Sequence, residues 1–191
     1  EIFYDLGEEF GEDGGPKFGS EDRFVEFWNL VFMQFEDKAD GSKVALPKPC
    51  VDTGMGIERV LFIKEKVQNI WASSLFMPMI EICEGLTSAK YGQDYETDVS
   101  LRIMAEHART MAFLISDGVM PSNEDRGYVL RRIMRRAVRH AYILGAKKVV
   151  MPTIVESVIS IMEKAYPELR ENADRILLIV ENEEVRFRET L

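Results

Sequence analysis

An acid, two glycines and an arginine recur at short, regular spacing in Cys50-Val-Asp-Thr-Gly-Met-Gly-Ile-Glu-Arg59, and these are the residues best equipped for chemistry in the chain. Read as a strand, the segment has a period of two that sets Asp52, Gly54 and Gly56 on one side. Nothing larger than the Asp52 carboxylate would keep a flat ligand from the backbone there. Arg59 follows where a helix can begin. Its guanidinium is permanently charged, offers a planar fork to phosphate and stacks on rings, so the segment reads as a nucleotide-contacting surface. Alternate glycines also mark bent or bulged strands, and that plainer reading stands beside the functional one. Upstream, Glu26 and Asn29 interrupt the apolar run Phe24 to Phe35. Each needs a hydrogen-bond partner, a ligand or a metal, unless the strand is an edge strand with Glu26 facing water.

The elements that carry these groups follow from periodicity. Glu1 to Leu6 is β-like, Gly7 to Ser20 is a loop rich in Gly and acids, and Phe24 to Phe35 is a strand. Asp37 to Ser42, with Asp40-Gly41, is a turn signal, so the chain returns through Val44 to Pro49 as a hairpin-type connection. From Ile57 the period becomes helical, through about Val67 and again over Leu75 to Leu86. Lys90 to Thr97 is polar and linker-like. Asp98 is placed to cap a helix running to about Ser116, and Ser122 with Asp125 resembles a capping box opening the next. Two amphipathic helices, Thr153 to Ala165 and Glu168 to about Arg188, are divided by Pro167.

The helix after Asp125 separates its charges from its apolar residues. Leu130, Ile133, Met134, Ala137, Val138 and Ala141 share one arc, and Arg131, Arg132, Arg135, Arg136 and Arg139 the other. No Asp or Glu occurs from Arg126 to Val155, so the arginines lack the local acids that usually accompany a solvated charged face. Their expected partner is an external polyanion carrying phosphates; the alternative is pairing with acids elsewhere in the chain.

Composition bounds these readings. With 191 residues and 46% hydrophobic content, the chain is long enough for one large or two small domains with real cores. A net charge of −9 argues against indiscriminate coating of nucleic acid, while leaving room for a local basic patch. No apolar run approaches the roughly 20 residues of a membrane span, and the cytoplasm is the expected location. The two cysteines, Cys50 and Cys83, lack metal-ligand spacing and are expected to be free thiols.

Val51-Asp-Thr-Gly-Met-Gly-Ile-Glu-Arg59 resembles motif 3 of the class II aminoacyl-tRNA synthetases, in the form used by the alanyl branch. Glu1-Ile-Phe-Tyr-Asp5, Phe27-Trp-Asn-Leu-Val-Phe-Met-Gln-Phe35 and the stretch from Asp117 to Arg132 resemble the same family in the same order. The resemblance implies an α+β fold: the C-terminal part of a class II antiparallel sheet with flanking helices over residues 1–95, then an incomplete all-α tRNA-recognition domain over 96–191. It implies ATP-dependent ligation of alanine to tRNA(Ala) through alanyl-adenylate.

The resemblance also assigns roles. Asp52 would hold the amino group of alanine, Asn29 its carboxylate side, Val31 its methyl group, and Gly54 would set the pocket's size. Glu26, Gly56 and Arg59 would meet ATP, with Arg59 and Glu26 catalytic and Glu26 the Mg²⁺ ligand. Asn123 would read the G·U wobble pair of the acceptor stem while Arg131, Arg132, Arg135, Arg136 and Arg139 hold its backbone. Any zinc would lie outside these residues. Motif 1, the motif 2 arginine, the tryptophan of the alanine pocket, the editing domain and the C-terminal domain are not in this sequence. The chain is therefore expected to be a piece of the enzyme that does not aminoacylate alone. The competing readings are a non-catalytic RNA-binding module on a synthetase-like scaffold and a generic nucleotide-binding protein.

Overall fold

The computed structural model describes residues 1–19 and 22–191, and the last residue of the expected Gly7 to Ser20 loop lies outside them. The fold is α+β, with a three-stranded antiparallel sheet and eight helices among the described residues. Two compact units divide it, Glu1–Ser73 and Ser74–Leu191.

The first unit is built on strands β1 (Ile2–Asp5), β2 (Phe24–Asp37) and β3 (Lys43–Met55), in the order β1-β2-β3. β2 and β3 form the hairpin that the Asp40-Gly41 signal announces. Gly41 sits at φ 82°, where a Cβ is disfavoured. Asp40 Oδ1 takes the Ser42 amide at 2.9 Å and its hydroxyl at 2.7 Å, closing the turn. The segment after β1 is not wholly irregular: it holds a 3₁₀ turn (Glu8–Phe10) and a single helical turn, α1 (Gly15–Phe18). Arg23 ties this connection down by donating to both Asp5 oxygens at 2.7 and 3.0 Å and to the Gly11 carbonyl at 3.2 Å. That bidentate hydrogen bond holds the Asp5 carboxyl below its ordinary range. Helix α2 (Ile57–Glu65) leaves the end of β3 directly.

The second unit contains only helices: α3 (Met77–Leu86), α4 (Tyr95–Ser116), α5 (Asp125–Ile143), α6 (Met151–Met162), α7 (Pro167–Glu171) and α8 (Ala173–Arg188). Its core is the α4 stripe of Leu101, Met104, Ala105, Ala108, Ala112 and Ile115 against Leu130, Met134, Ala137, Val138 and Ala141 of α5, with Ile154, Val158 and Ile176 beneath. Helix α3 falls within this second unit, because it buries Met79, Ile80 and Cys83 and packs against α4 and α6. Burial pushes the Cys83 thiol up to about 12, which makes it an inert core residue.

Three local expectations are corrected. The cap of α4 is Asp94, which accepts from the Thr97 amide at 2.9 Å; Asp98 lies inside the helix and bonds the Gly92 amide at 2.6 Å. Ser122 does not box Asp125. Its hydroxyl turns onto the loop, donating to the Glu124 carbonyl at 2.8 Å. The last helix is broken at Asn172 into α7 and α8. No helix among the described residues is long and apolar enough to cross a membrane.

Glu184, 1% exposed on α8, holds three segments together. It accepts from the Val150 amide at 3.1 Å and the Met151 amide at 2.7 Å at the start of α6. It also accepts from Arg188 Nε at 2.8 Å, and Arg188 in turn holds the Ala146 carbonyl at 2.8 Å. Replacing Glu184 by Ala strands two helix-terminal amides and a guanidinium, so thermal or urea denaturation is expected to show a loss of about 3–5 kcal/mol. A loss below about 1 kcal/mol would contradict the central role of this carboxylate.

Candidate functional site

The register of β2 against β3 decides which residues of the first unit share a surface. Asn29 pairs with Gly54 and Val31 with Asp52, so these four residues form two adjacent cross-strand pairs on one face. On that face Gly54 has open space where a Cβ would stand, with no atom within 4 Å. Asp52 and Val31 are exposed, and among the described residues the Asp52 carboxylate has no partner. An acid, an amide, a methyl-bearing side chain and a bare backbone therefore face the same way. The set suits a small zwitterion: an ammonium for Asp52, a carboxylate for the amide, and little room demanded of the rest.

Strict alternation would place Glu26 on the opposite face from Asn29. The β1–β2 pairing runs from Ile2 with Trp28 to Phe3 with Glu26, so β2 advances two residues where β1 advances one. Such a bulge re-aims the side chains beyond it, and a one-residue shift exchanges the two faces. Asn29 Nδ2 accordingly donates to Glu26 Oε1 at 3.2 Å. The partner that a semi-buried acid requires is thus Asn29, whose second amide proton is left for another acceptor. No group of three or more His, Cys, Asp or Glu side chains among the described residues is arranged to hold a metal. A lone carboxylate without an ion-pair partner is still the kind of donor that Mg²⁺ uses beside phosphate oxygens, so Glu26 fits that ion, with phosphates needed to complete its shell.

Arg59, on the first turn of α2, donates through NH1 to the Glu26 backbone carbonyl. Its stem crosses the end of β3 at Gly56, where an added Cβ would stand 3.3 Å from Arg59 Cδ. Gly56 therefore makes room first for the arginine of this chain. On the reverse face, Trp28 Nε1 donates to Thr53 Oγ1 at 2.6 Å, and Thr53 Oγ1 donates to the Asn29 carbonyl at 3.0 Å. That clamp on the Asn29 backbone was not legible in the sequence, because Trp28 and Thr53 become diagonal neighbours only once the register is known.

In the second unit the structure divides the arginine face in two. Arg132, Arg136 and Arg139 are exposed along α5. Arg131 and Arg135 instead turn to Glu183 of α8, a carboxylate 4% exposed. Arg135 Nε donates to it at 2.8 Å and Arg131 Nε lies 3.4 Å from the same oxygen. These two have an acid of the same chain as a partner. Arg135 also stacks over the Phe187 ring at 5.2 Å. Asn123, exposed ahead of α5, accepts through Oδ1 from Arg131 NH1, and Arg131 NH2 reaches the Pro121 carbonyl at 3.5 Å. Asn123, Tyr128, the five arginines, His140 and Phe187 line one open concavity of about 620 Å³. Burial, with Arg136 and Arg139 nearby, holds His140 below its ordinary pKa, so it adds no charge to the concavity at pH 7. Glu183 was missed in the sequence reading, although its signal is there: Ile176, Val180 and Glu183 follow the spacing of the buried α8 stripe.

The sequence matches, over residues 1–191, the family model described as tRNA synthetases class II (A). It is 45% identical over 195 residues to an alanine–tRNA ligase of Bacillus velezensis, 47% over 194 residues to one of Acidithiobacillus ferridurans, and 45% over 195 residues to one of Bacillus subtilis. Each alignment covers 100% of this chain and 22% of the relative, so the chain spans about a fifth of the length of these relatives.

The loop bearing Asn123 rests on Gly127. A Cβ at that position would overlap the Met120 carbonyl oxygen and Ser122 Oγ, and the Gly127 carbonyl accepts the Ser122 amide at 3.1 Å. Gly127→Ala is therefore expected to destabilise the helical unit by about 1–3 kcal/mol, readable as a lowered melting temperature. Wild-type stability in that variant would show that the loop yields freely.

Proposed function

The chain belongs to the class II (A) tRNA synthetases, and from that premise we propose that it supplies part of the alanine, ATP and acceptor-stem sites of an alanine–tRNA ligase. The observation that carries this reading is the pairing of Asn29 with Gly54 and Val31 with Asp52 on one face of the β2–β3 hairpin. Asp52 receives the substrate ammonium and Asn29 its carboxylate through the amide proton that Glu26 leaves free. Val31 lies against the methyl group and Gly54 leaves space for it. Such a pocket separates alanine from serine or glycine by only about 1–3 kcal/mol, the ordinary worth of one small group.

Arg59, held at the Glu26 carbonyl, offers its guanidinium to the adenine and phosphates of ATP. The alanine carboxylate oxygen attacks the α-phosphorus in line, forming the new P–O bond as pyrophosphate leaves. The terminal ribose hydroxyl of tRNA then attacks the alanyl carbonyl and AMP departs. Glu26 would hold Mg²⁺, whose charge would offset that of the phosphates. Asn123 reads the G·U pair of tRNA(Ala), and Arg132, Arg136 and Arg139 hold the acceptor-stem backbone. Translation of this kind places the protein in the cytoplasm.

Alanine-dependent ATP–pyrophosphate exchange by the full-length protein tests the pocket. Asp52→Asn is expected to raise the alanine KM about tenfold or more, since a charge-assisted contact becomes a neutral one. Gly54→Ala is expected to melt within about 0.5 kcal/mol of the wild type, given the open space around it. It should nonetheless raise the alanine KM. An unchanged alanine KM in both variants would sink this assignment of the pocket, and an absence of alanine-dependent exchange in the wild type would favour a non-catalytic RNA-binding role.

A further inference from the structure

We propose that Glu183 is a positioning residue for base-pair selection: acting through Arg131, it fixes the side-chain amide of Asn123 with its NH₂ group outward. This rests on the reading of Asn123 as the base contact. The chain of contacts runs from inside to outside. Glu183 is 4% exposed on α8, the Arg131 side chain 17%, and Asn123 is exposed on the loop before α5. Glu183 carries charge out of water and needs cations there; Arg131 and Arg135 are the two in contact with it. Arg131 is thereby held with one edge toward Glu183 and its NH1 toward Asn123.

A guanidinium has five donors and no acceptor, so the amide atom facing it must be Oδ1. That contact removes the usual ambiguity of an asparagine amide. It leaves Nδ2 with two free protons among the described residues. Asn123 therefore meets the base edge as a donor, and selection depends on an acceptor held at one place. A loop residue with a freely rotating amide would offer oxygen and NH₂ alternately and discriminate less. Arg131 and Arg135 are thus paired with Glu183 at the inner side of the concavity, while Arg132, Arg136 and Arg139 are left to the backbone.

The test is the ratio of aminoacylation kcat/KM for two tRNA(Ala) acceptor stems, one with the G·U pair and one with G·C in its place, using the full-length protein. A variant that merely lowers the folded fraction reduces both rates alike and leaves the ratio unchanged. Glu183→Gln keeps an amide oxygen toward the two arginines but removes the charge that holds them, and is expected to lower the G·U preference about tenfold. Glu183→Asp, which keeps the charge on a shorter stem, should recover part of it. Arg131→Lys serves if the buried variants do not fold, because a single ammonium cannot hold Glu183 and Asn123 in one planar fork; it should lose preference similarly. Asn123→Asp retains the oxygen toward Arg131 but removes the donor, and should abolish the preference. If Asn123→Asp loses the preference while Glu183→Gln and Arg131→Lys keep it, the relay is overturned. If Asn123→Asp keeps it, Asn123 is not the base contact, and both readings fall.

Discussion

Two adjacent carboxylates buried near the end of α8 set the terms for the helical unit. An isolated charge taken out of water costs several kcal/mol even after relaxation, so Glu183 and Glu184 require partners that a solvated acid would not. Each finds them on a different side. Glu184 takes the first amides of α6, where the helix dipole favours a negative charge, together with Arg188 one turn along its own helix. Glu183 takes Arg131 and Arg135 from α5. A single turn of α8 therefore fixes both α5 and α6. The apolar stripes that make up most of the core accept many small slips of one helix past another; a buried ion pair accepts few.

In the sheet unit the corresponding constraint is register. A slip of one residue between β2 and β3 would move Asp52 and Gly54 away from Val31 and Asn29 and expose the opposite set. The Asp40–Ser42 turn fixes one end of the hairpin, but the β2–β3 register shifts between Met33 and Phe35, so the turn does not set the pairs at the site. The Trp28–Thr53–Asn29 clamp fixes the other, on the face turned away from the site. The bulge at the β1 edge then changes the phase of β2 once, enough to bring Glu26 to Asn29 while the pairs beyond it keep their places.

Much of this was legible in the residues. The strands, the hairpin turn and the α4 and α5 stripes follow from periods of 2 and 3.6, and they lie close to where the pattern puts them. What escaped is what depends on distant partners. The alternation of Asp52, Gly54 and Gly56 marks a face but does not identify the facing residues. The position of Glu26 relative to Asn29 depends on a bulge that no local spacing announces. The absence of acids near the α5 arginines is real, yet two of them meet an acid from far along the chain, because Glu183 is 52 residues from Arg131 and 48 from Arg135. The start of α4 was misplaced for a local reason: Asp94 and Asp98 are both competent acceptors one turn apart, and it is Asp94 that takes the Thr97 amide while Asp98 takes that of Gly92.

The division of the arginines separates two electrostatic environments that a uniform basic face would confuse. Exposed, unpaired guanidinium groups attract any phosphate backbone, with a strength that falls steeply as salt rises and without regard to sequence. In a chain of net charge −9 three such groups on one ridge supply a local attraction that the whole molecule does not. One buried carboxylate offsets only one of the two guanidinium charges of Arg131 and Arg135, but it limits the movement of both, since they are the cations in contact with it among the described residues. Rigidity is what an amide needs in order to present one donor in one direction. The same helix thus carries two kinds of arginine, Arg132, Arg136 and Arg139 exposed and Arg131 and Arg135 held against an acid, and the difference between them is set by a carboxylate on another helix.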